Sequence, residues 1–233
     1  MNKPTPIQYA AEIKNVKEIA LFGFADLAFW QRHLQDENLI PFASEGKAQL
    51  LLSATDLAYM GIHFRELTFT IAIADPHNPN QQCGFYLIHA FNSSRLFAFL
   101  ERAMFQTPYY HGDVHVKAAI PSEFKLMNGH HVIVSAKMSG VVPRAKSENE
   151  LWEGPIFLPK QMSKDKSLGG VFYAKLGGFT ETYPFSPSMD TLELKPAQNS
   201  DVIRWLSESK FTAKEWHIRQ NAEHSKSKTY SRA

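Results

Sequence analysis

Titratable side chains occupy every second position of one short segment in the middle of the chain. Tyr109, His111, Asp113, His115 and Lys117 alternate with mostly small or apolar residues. Successive side chains of a strand point to opposite faces, so this spacing predicts a strand with one apolar and one polar face. A face that carries five such groups either contacts water or lines a wet cavity.

The His-x-Asp-x-His spacing within this segment suggests a metal site as one interpretation. His111 and His115 lie about 13 Å apart on an extended strand, so one ion cannot bridge them directly. One of them with Asp113 would still need further ligands, such as His63 or His89. The simpler interpretation is a histidine–aspartate hydrogen bond on a polar strand face, and we predict no metal here.

A helix is predicted immediately before this strand. Ser93 or Ser94 is a suitable N-cap, and Pro108 ends the helix because it lacks an amide hydrogen and moves Thr107 out of the α region. Between these limits apolar residues recur at helical spacing, at Leu96, Phe97, Leu100, Ala103 and Met104. The end of a helix therefore lies directly beside the polar strand.

The residues at this junction resemble the acetoacetate decarboxylase superfamily. That family has a Gly-Arg-Glu…Pro-Lys-Lys signature, in which the first lysine forms a Schiff base with the keto acid. Arg102 and Pro108 match its arginine and proline, whereas Tyr109 and Tyr110 stand in place of the two lysines. Upstream, the segment Gly-Ile-His-Phe-Arg-Glu is similar to the family's Gly-x-Tyr-x-Glu strand, which makes Glu66 the matching pocket carboxylate.

The resemblance spans about residues 25–141 and implies a β-barrel-like fold with an interior pocket and an oligomeric assembly. The Pro-Tyr-Tyr-His form is also similar to an uncharacterised sister family. A Schiff base needs a primary amine held neutral near physiological pH, and phenols do not supply one. Decarboxylation through an imine is therefore excluded at this position unless another lysine, Lys117 or Lys137, reaches the pocket.

Two functions remain open on this evidence. The first is a lyase-like acid–base enzyme that acts on a small oxo- or hydroxy-carboxylate. In it, Arg102 orients the carboxylate and the phenol of Tyr109 or Tyr110 polarises the carbonyl. Glu66 or His111 moves the proton. The alternative is a non-catalytic protein that binds a small molecule, in which the same residues are anchors.

The composition excludes several other classes of protein. A formal charge of +2 is too small to indicate a nucleic-acid or membrane partner. One cysteine, Cys83, excludes an internal disulfide and fits a reducing compartment. There is no Gly-x-Ser-x-Gly, P-loop or Gly-x-Gly-x-x-Gly motif, and we predict no cofactor. Without an apolar leader or a run of membrane-spanning length, the expected location is the cytoplasm.

Strand and turn signals along the chain predict the fold class. Short helices are expected after Asp26, from Ser94 and after Ser200, and Asn128-Gly129 is a strong hairpin signal. Strands are expected at 48–53, 63–75, 84–91, 131–142, 170–176, 179–183 and 191–194. This pattern predicts an α+β protein of mainly antiparallel β structure, and the resemblance specifies a single acetoacetate decarboxylase-like β-barrel domain over residues 1–233.

Three regions fall outside the regular pattern. Residues 1–15 are interpreted as a polar arm, and residues 143–169 as charged loops around an apolar segment at 152–158. Residues 214–233 carry five Lys or Arg against two Glu and are interpreted as a basic tail. From about Glu223 onward we expect disorder or packing against a partner subunit, which is consistent with a homo-oligomer.

Overall fold

Long strands account for most of the computed structural model, which describes residues 6–140, 145–163, 168–195 and 200–232. The helices in these ranges are α1 (Leu27–Leu34), α2 (Arg95–Phe105) and α3 (Asp201–Glu208). The strands are β1 (Tyr9–Asp26), β2 (Ala43–Ser44), β3 (Lys47–Tyr59), β4 (Ile62–Asp75), β5 (Asn78–Asn92), β6 (Tyr109–His111), β7 (Asp113–Lys117), β8 (Glu123–Asn128), β9 (His131–Lys137), β10 (Lys146–Leu158), β11 (Gly170–Pro184), β12 (Thr191–Leu194), β13 (Thr212–Ser227) and β14 (Tyr230–Ser231).

The larger sheet closes on itself. Its strands follow the order β1-β13-β11-β10-β5-β4-β3, and β3 also pairs with β1, which completes a ring of seven strands. The pairs in this ring are antiparallel except that of β5 and β10, which is parallel. A second, smaller sheet has the order β12-β9-β8-β7. The predicted fold class, mainly antiparallel β with a few short helices, is confirmed.

The main hydrophobic core lies outside the ring. Four even-numbered residues of β3, Ala48, Leu50, Leu52 and Ala54, are fully buried and belong to one cluster with Trp30 of α1, Phe124 of β8 and Ile203 of α3. The small sheet and two helices thus cover one outer face of the ring. The odd-numbered residues of β3 point the other way, into the interior, as strand alternation requires.

Local signals placed several elements correctly. The side chain of Asp26 accepts a hydrogen bond from the Phe29 amide and caps α1, and Ser94 caps α2 through the Phe97 amide. The predicted hairpin joins β8 and β9, but its two-residue loop is Gly129-His130 rather than Asn128-Gly129, because Asn128 still pairs with His131; Gly129 has a positive φ. No helix in the described ranges is long and apolar enough to cross a membrane.

The interpretation of the chain ends was wrong. Residues 9–15, which we placed in a polar arm, begin β1, and residues 214–227 of the predicted basic tail continue β13. The polar composition misled the prediction. One face of β13 lines the interior cavity, and on that face His224 and Lys226 occupy positions where a buried strand usually has apolar residues. Residues 1–5 of the arm and residue 233 of the tail lie outside the described residues.

Two other expectations also differ from the structure. Residues 146–158 form β10, whereas we predicted charged loops around an apolar segment.

The polar strand after Pro108 is divided at Gly112, where β6 pairs with β5 of the ring and β7 joins the small sheet. A Cβ at Gly112 would lie 2.9 Å from the Phe91 ring, so the chain passes closely between the sheets there. Predicted positions at 141–142, 144 and 164–166 lie outside the described residues.

Candidate active site inside the ring

The ring encloses a cavity of about 640 Å³. Inward-facing residues of the ring strands line it, and α2 contributes side chains along one side. Apolar side chains make up most of the lining, among them Leu51, Phe64, Leu87, Phe97, Trp152 and Phe172. The apolar stripe predicted for α2 therefore faces this cavity in part: Phe97, Leu100 and Met104 belong to the lining.

Glu66 is the central polar group of the cavity. It lies on β4 and is paired with Thr55 of β3 on one side and Asn92 of β5 on the other. The Asn92 side-chain amide donates to Glu66 Oε1 at 2.9 Å, and the Tyr109 phenol donates to Oε2 at 3.3 Å. These two donors fix the orientation of the carboxyl group in a mostly apolar cavity.

The surroundings of Glu66 oppose its ionisation. Burial raises the pKa of Glu66 from its usual 4.5 to about 7, and the nearby Glu101 carboxylate adds to the rise. The charges of Lys226 and His224 and the hydrogen bond from Tyr109 act in the opposite direction but are smaller. A carboxyl group with a pKa near 7 is suited to both accept and donate a proton at physiological pH.

The two tyrosines after Pro108 lie in different environments. Tyr109 is buried and lines the cavity, and burial together with the Glu66 carboxylate raises its pKa well above 10, so the phenol stays neutral. Tyr110 is outside the cavity lining and stacks on His89, with ring centroids 4.7 Å apart. The Arg102 guanidinium lies over the Tyr110 ring, 5.2 Å from its centroid.

A lysine reaches the cavity from an element that the sequence did not indicate. Lys226 of β13 forms an ion pair with Glu101 of α2, and its Nζ lies 4.5 Å from the ring centroid of Phe105 and 4.6 Å from that of Phe172. Thr107 donates to the same Glu101 carboxylate at 2.6 Å. The ammonium group is thus held between a carboxylate and aromatic faces.

Glu18 is a further polar residue of the cavity and lies on the wall formed by β1 and β13. Glu18 is 3% exposed and accepts hydrogen bonds from Ser53 at 2.7 Å and Arg219 at 2.9 Å, and its Oε2 is 3.3 Å from His224 Nε2. Burial by itself would raise the pKa of Glu18, but His224 and Arg219 lower it well below its usual 4.5. Arg219 continues outward to Glu150 at 2.7 Å, so the charge of Glu18 is compensated.

The predicted site residues do not all meet at one point. Glu66 and Tyr109 line the cavity and are hydrogen-bonded to each other. Arg102 and His111 are exposed, and neither they nor Tyr110 belong to the lining. Of the lysines considered, Lys117 borders a shallow surface depression beside β7 and Lys137 is exposed on β9.

The polar face of β7 is a surface feature. His115 Nε2 is 3.0 Å from Asp113 Oδ1, and both side chains are more than half exposed. Within the described ranges, no group of three or more histidine, cysteine or acidic side chains is arranged to hold a metal ion. The interior polar residues come instead from β1, β3, β4, β6, β13 and α2.

Sequence reasoning missed several residues of this cavity, namely Glu18, Thr55, Glu101, His224 and Lys226. Alternation was the available signal for the last two, since Ala222, His224 and Lys226 fall on one face of a strand. Their partners could not be identified, because Lys226 and Glu101 are 125 positions apart and meet only after the ring has closed.

Known structures share this architecture. An acetoacetate decarboxylase structure superposes with a TM-score of 0.66 at 14% identity, over 97% of this chain and 93% of that one. The acetoacetate decarboxylase from Legionella pneumophila subsp. pneumophila str. Philadelphia 1 gives a TM-score of 0.63 at 14% identity, over 100% and 92% of the two chains. The enduracididine biosynthesis enzyme MppR, complexed with pyruvate, gives 0.66 at 10% identity, over 97% and 91%.

These likenesses establish the fold. The chain has the acetoacetate decarboxylase-like fold over nearly its whole length, as the residues around Pro108 and Glu66 suggested. No family model matches the sequence, and no curated protein matches it. The low identities mean that activity must be argued from the residues of the cavity.

Proposed function

We propose that the protein is an acid–base enzyme that binds a carbonyl compound in the interior cavity and transfers a proton through Glu66. The observation that carries this proposal is a carboxyl group with a pKa of about 7, oriented by Asn92 and Tyr109 in a mostly apolar cavity. At neutral pH such a group is present in both protonation states, which is the requirement for proton transfer in either direction.

The proposed step is removal of a hydrogen from the carbon next to the carbonyl. The C–H bond breaks, its proton moves to the Glu66 carboxylate, and its electron pair forms an enolate whose negative charge lies on the carbonyl oxygen. Thr55 is an uncharged hydroxyl donor on the strand beside Glu66 and would stabilise that oxygen, whereas Tyr109 keeps its hydrogen bond to Glu66 and orients the carboxyl group. Lys226, across the ring, supplies a positive charge to the same cavity.

Catalysis through an imine is not part of this proposal. In the motif resemblance Tyr109 and Tyr110 stand in place of the family's two lysines, and the Lys226 side chain is ion-paired with Glu101. Arg102 is exposed beside Tyr110, so the cavity lacks the guanidinium that we expected to orient a carboxylate. The acid–base part of the sequence hypothesis therefore depends on Glu66 and Tyr109.

Hydrogen exchange tests the proposed step. Purified protein is incubated in D₂O with pyruvate and with methyl ketones, and deuterium incorporation next to the carbonyl is followed by NMR. We expect exchange that depends on the protein and falls at least 100-fold in Glu66→Gln, since proton transfer by a positioned side chain contributes about 100-fold to 10,000-fold. Glu12→Gln, on the exposed face of β1, is the matched control and should retain the wild-type rate.

Borohydride reduction separates the two possible mechanisms. With acetoacetate or pyruvate present, the intact mass of the wild-type protein should stay unchanged, because the Lys226 side chain is engaged in its ion pair with Glu101. A reduced adduct that disappears in Lys226→Met would instead show that Lys226 forms an imine.

A non-catalytic binding protein is the second candidate, and the mainly apolar lining favours it. Ligand-induced heat stabilisation without hydrogen exchange on any of the probes would support this alternative and contradict the enzyme proposal.

A further inference from the structure

The size of the cavity limits the kind of molecule that can occupy it. A small oxo acid such as pyruvate displaces roughly 100 Å³, since a water molecule occupies about 30 Å³ in the liquid. The cavity has about 640 Å³, which is within the range of sites for considerably larger ligands. Such an acid would leave most of the apolar wall without contacts.

The polar groups of the cavity already compensate one another's charges. Lys226 is paired with Glu101, and Glu18 with Arg219. Lys228 also borders the cavity, but its side chain is exposed to solvent. Among the described residues, the interior therefore offers no unpaired cation to a carboxylate, and burying an uncompensated anion is unfavourable.

One buried hydroxyl among the described residues of the cavity lining has no hydrogen-bond partner. Thr55 is 6% exposed, lines the cavity and lies directly opposite Glu66 in the pairing of β3 with β4. Its Oγ1 has no hydrogen-bond partner among the described residues. The neighbouring hydroxyls differ: Ser53 donates to Glu18 and Thr68 to a backbone carbonyl. A buried hydroxyl without a partner is unfavourable, and an acceptor atom on a ligand would satisfy it.

We propose that the cavity binds an uncharged, mainly apolar ligand with one carbonyl oxygen, of the class of medium-chain ketones, whose oxygen accepts a hydrogen bond from Thr55 beside Glu66. This inference rests on the proposed function, since the carbonyl is the group on which Glu66 acts. The hydrocarbon part of the ligand packs against the apolar wall, which includes Leu51, Leu87 and Trp152. The ligand class thus differs from the carboxylate that the sequence led us to expect.

A chain-length series tests the proposal. Dissociation constants are measured by calorimetry for methyl ketones from butanone to decanone, for fatty acids of the same lengths, and for pyruvate. Each added methylene should tighten ketone binding about fourfold until the cavity is filled, which is the equivalent of about 0.8 kcal/mol per methylene. The fatty acids and pyruvate should bind more weakly than the ketones of equal or greater length.

Two variants locate the ligand. Leu51→Trp fills part of the apolar wall and should abolish the gain from longer chains, whereas Leu151→Trp, at a residue that is 67% exposed and outside the lining, should not. Thr55→Val should weaken every ketone by about twofold to tenfold and keep the chain-length dependence. Urea unfolding of each variant confirms that it is folded.

The outcomes separate this inference from the proposed function. Ketones that bind with the expected dependence but exchange no hydrogen support the ligand class and contradict the role of Glu66. If pyruvate exchanges hydrogen and the affinity for ketones does not depend on their chain length, the enzyme proposal stands and the proposed ligand class is overturned. Tighter binding of the fatty acids, or no binding by any ketone, also overturns it.

Discussion

The carboxyl group of Glu66 is held in a place where the fold disfavours its charged form. A shift in pKa from 4.5 to about 7 corresponds to about 3 kcal/mol, at 1.36 kcal/mol per unit. Between these two pH values the folded chain binds the proton more tightly than the unfolded chain does. The free energy of unfolding therefore decreases as the pH rises from 4.5 to 7. Above pH 7 the ionisation of Glu66 changes it no further.

Glu66→Gln should remove this pH dependence. The glutamine carbonyl can still accept from Asn92, and no charge has to be buried, so the variant should be more stable than the wild type above pH 7 by up to about 3 kcal/mol. Urea unfolding at pH 5 and pH 8 measures the difference. An equal slope of stability against pH in both proteins would show that Glu66 ionises freely in the fold.

The position of single residues in the cavity was predictable only where a local motif existed. Glu66 and Tyr109, which line the cavity, stand in short motifs at positions 61–66 and 108–111, and their catalytic roles stay predictions. Arg102 belongs to the same motif, but the motif does not specify which side of α2 faces the interior, and Glu101 lines the cavity instead. Lys226 has no motif, and its distance from Glu101 along the chain hid the pair.

Among the elements, the pair of β5 and β10 is distinctive because it is the parallel contact in the ring. The two strands approach each other closely at Gly84. A Cβ built there would lie 2.4 Å from the carbonyl oxygen of Pro155 and 2.8 Å from the Pro155 ring. The backbone of β10 is not free to withdraw, because β11 pairs with its other edge throughout.

Gly84→Ala should destabilise the protein by about 1 to 3 kcal/mol, as inserting a carbon into a filled site does. Gly140→Ala is the control, since its Cβ would meet nothing within 4 Å and Gly140 has no positive φ. The free energy of unfolding in urea compares the two. If both substitutions have the same small effect, the close approach of the strands is not a constraint.

Element types were easier to predict than their limits. Helix caps at Asp26 and Ser94 and the turn at Gly129 depend on nearest neighbours, which the sequence shows directly. β10 was missed because Glu148 and Glu150 obscure its pattern, although Glu150 is paired with Arg219 of β13 across the sheet. An ion pair between residues of different strands forms only in the assembled ring, so it cannot be predicted from the sequence of one segment.

At the scale of the molecule, the segment predicted to be a basic tail is a structural part of the ring. Its residues pair with β1 on one side and with β11 on the other, and they carry His224 and Lys226 into the cavity. Deletion of residues 214–233, which removes nearly all of β13, should therefore open the ring and abolish cooperative unfolding, measured by circular dichroism during heating. The charges alone should matter little.

A double substitution provides the matched control for that deletion. Lys214 and Lys228 are exposed, and replacing both by alanine should change the stability by no more than about 0.5 kcal/mol each. A deletion variant that unfolds with the same midpoint as the wild type would contradict the view that β13 closes the ring.

The closure of the ring between β1 and β13 also bears on how the chain is made. Glu18 and its partner Arg219 are 201 positions apart, so one edge of β1 has no partner until nearly the entire domain has been synthesised. At about 5 to 20 residues per second, this edge stays open for about 10 to 40 s on the ribosome. An open strand edge is a template for pairing with other chains. The nascent protein is thus most exposed to misassembly at its first strand, and translation speed sets the length of that exposure.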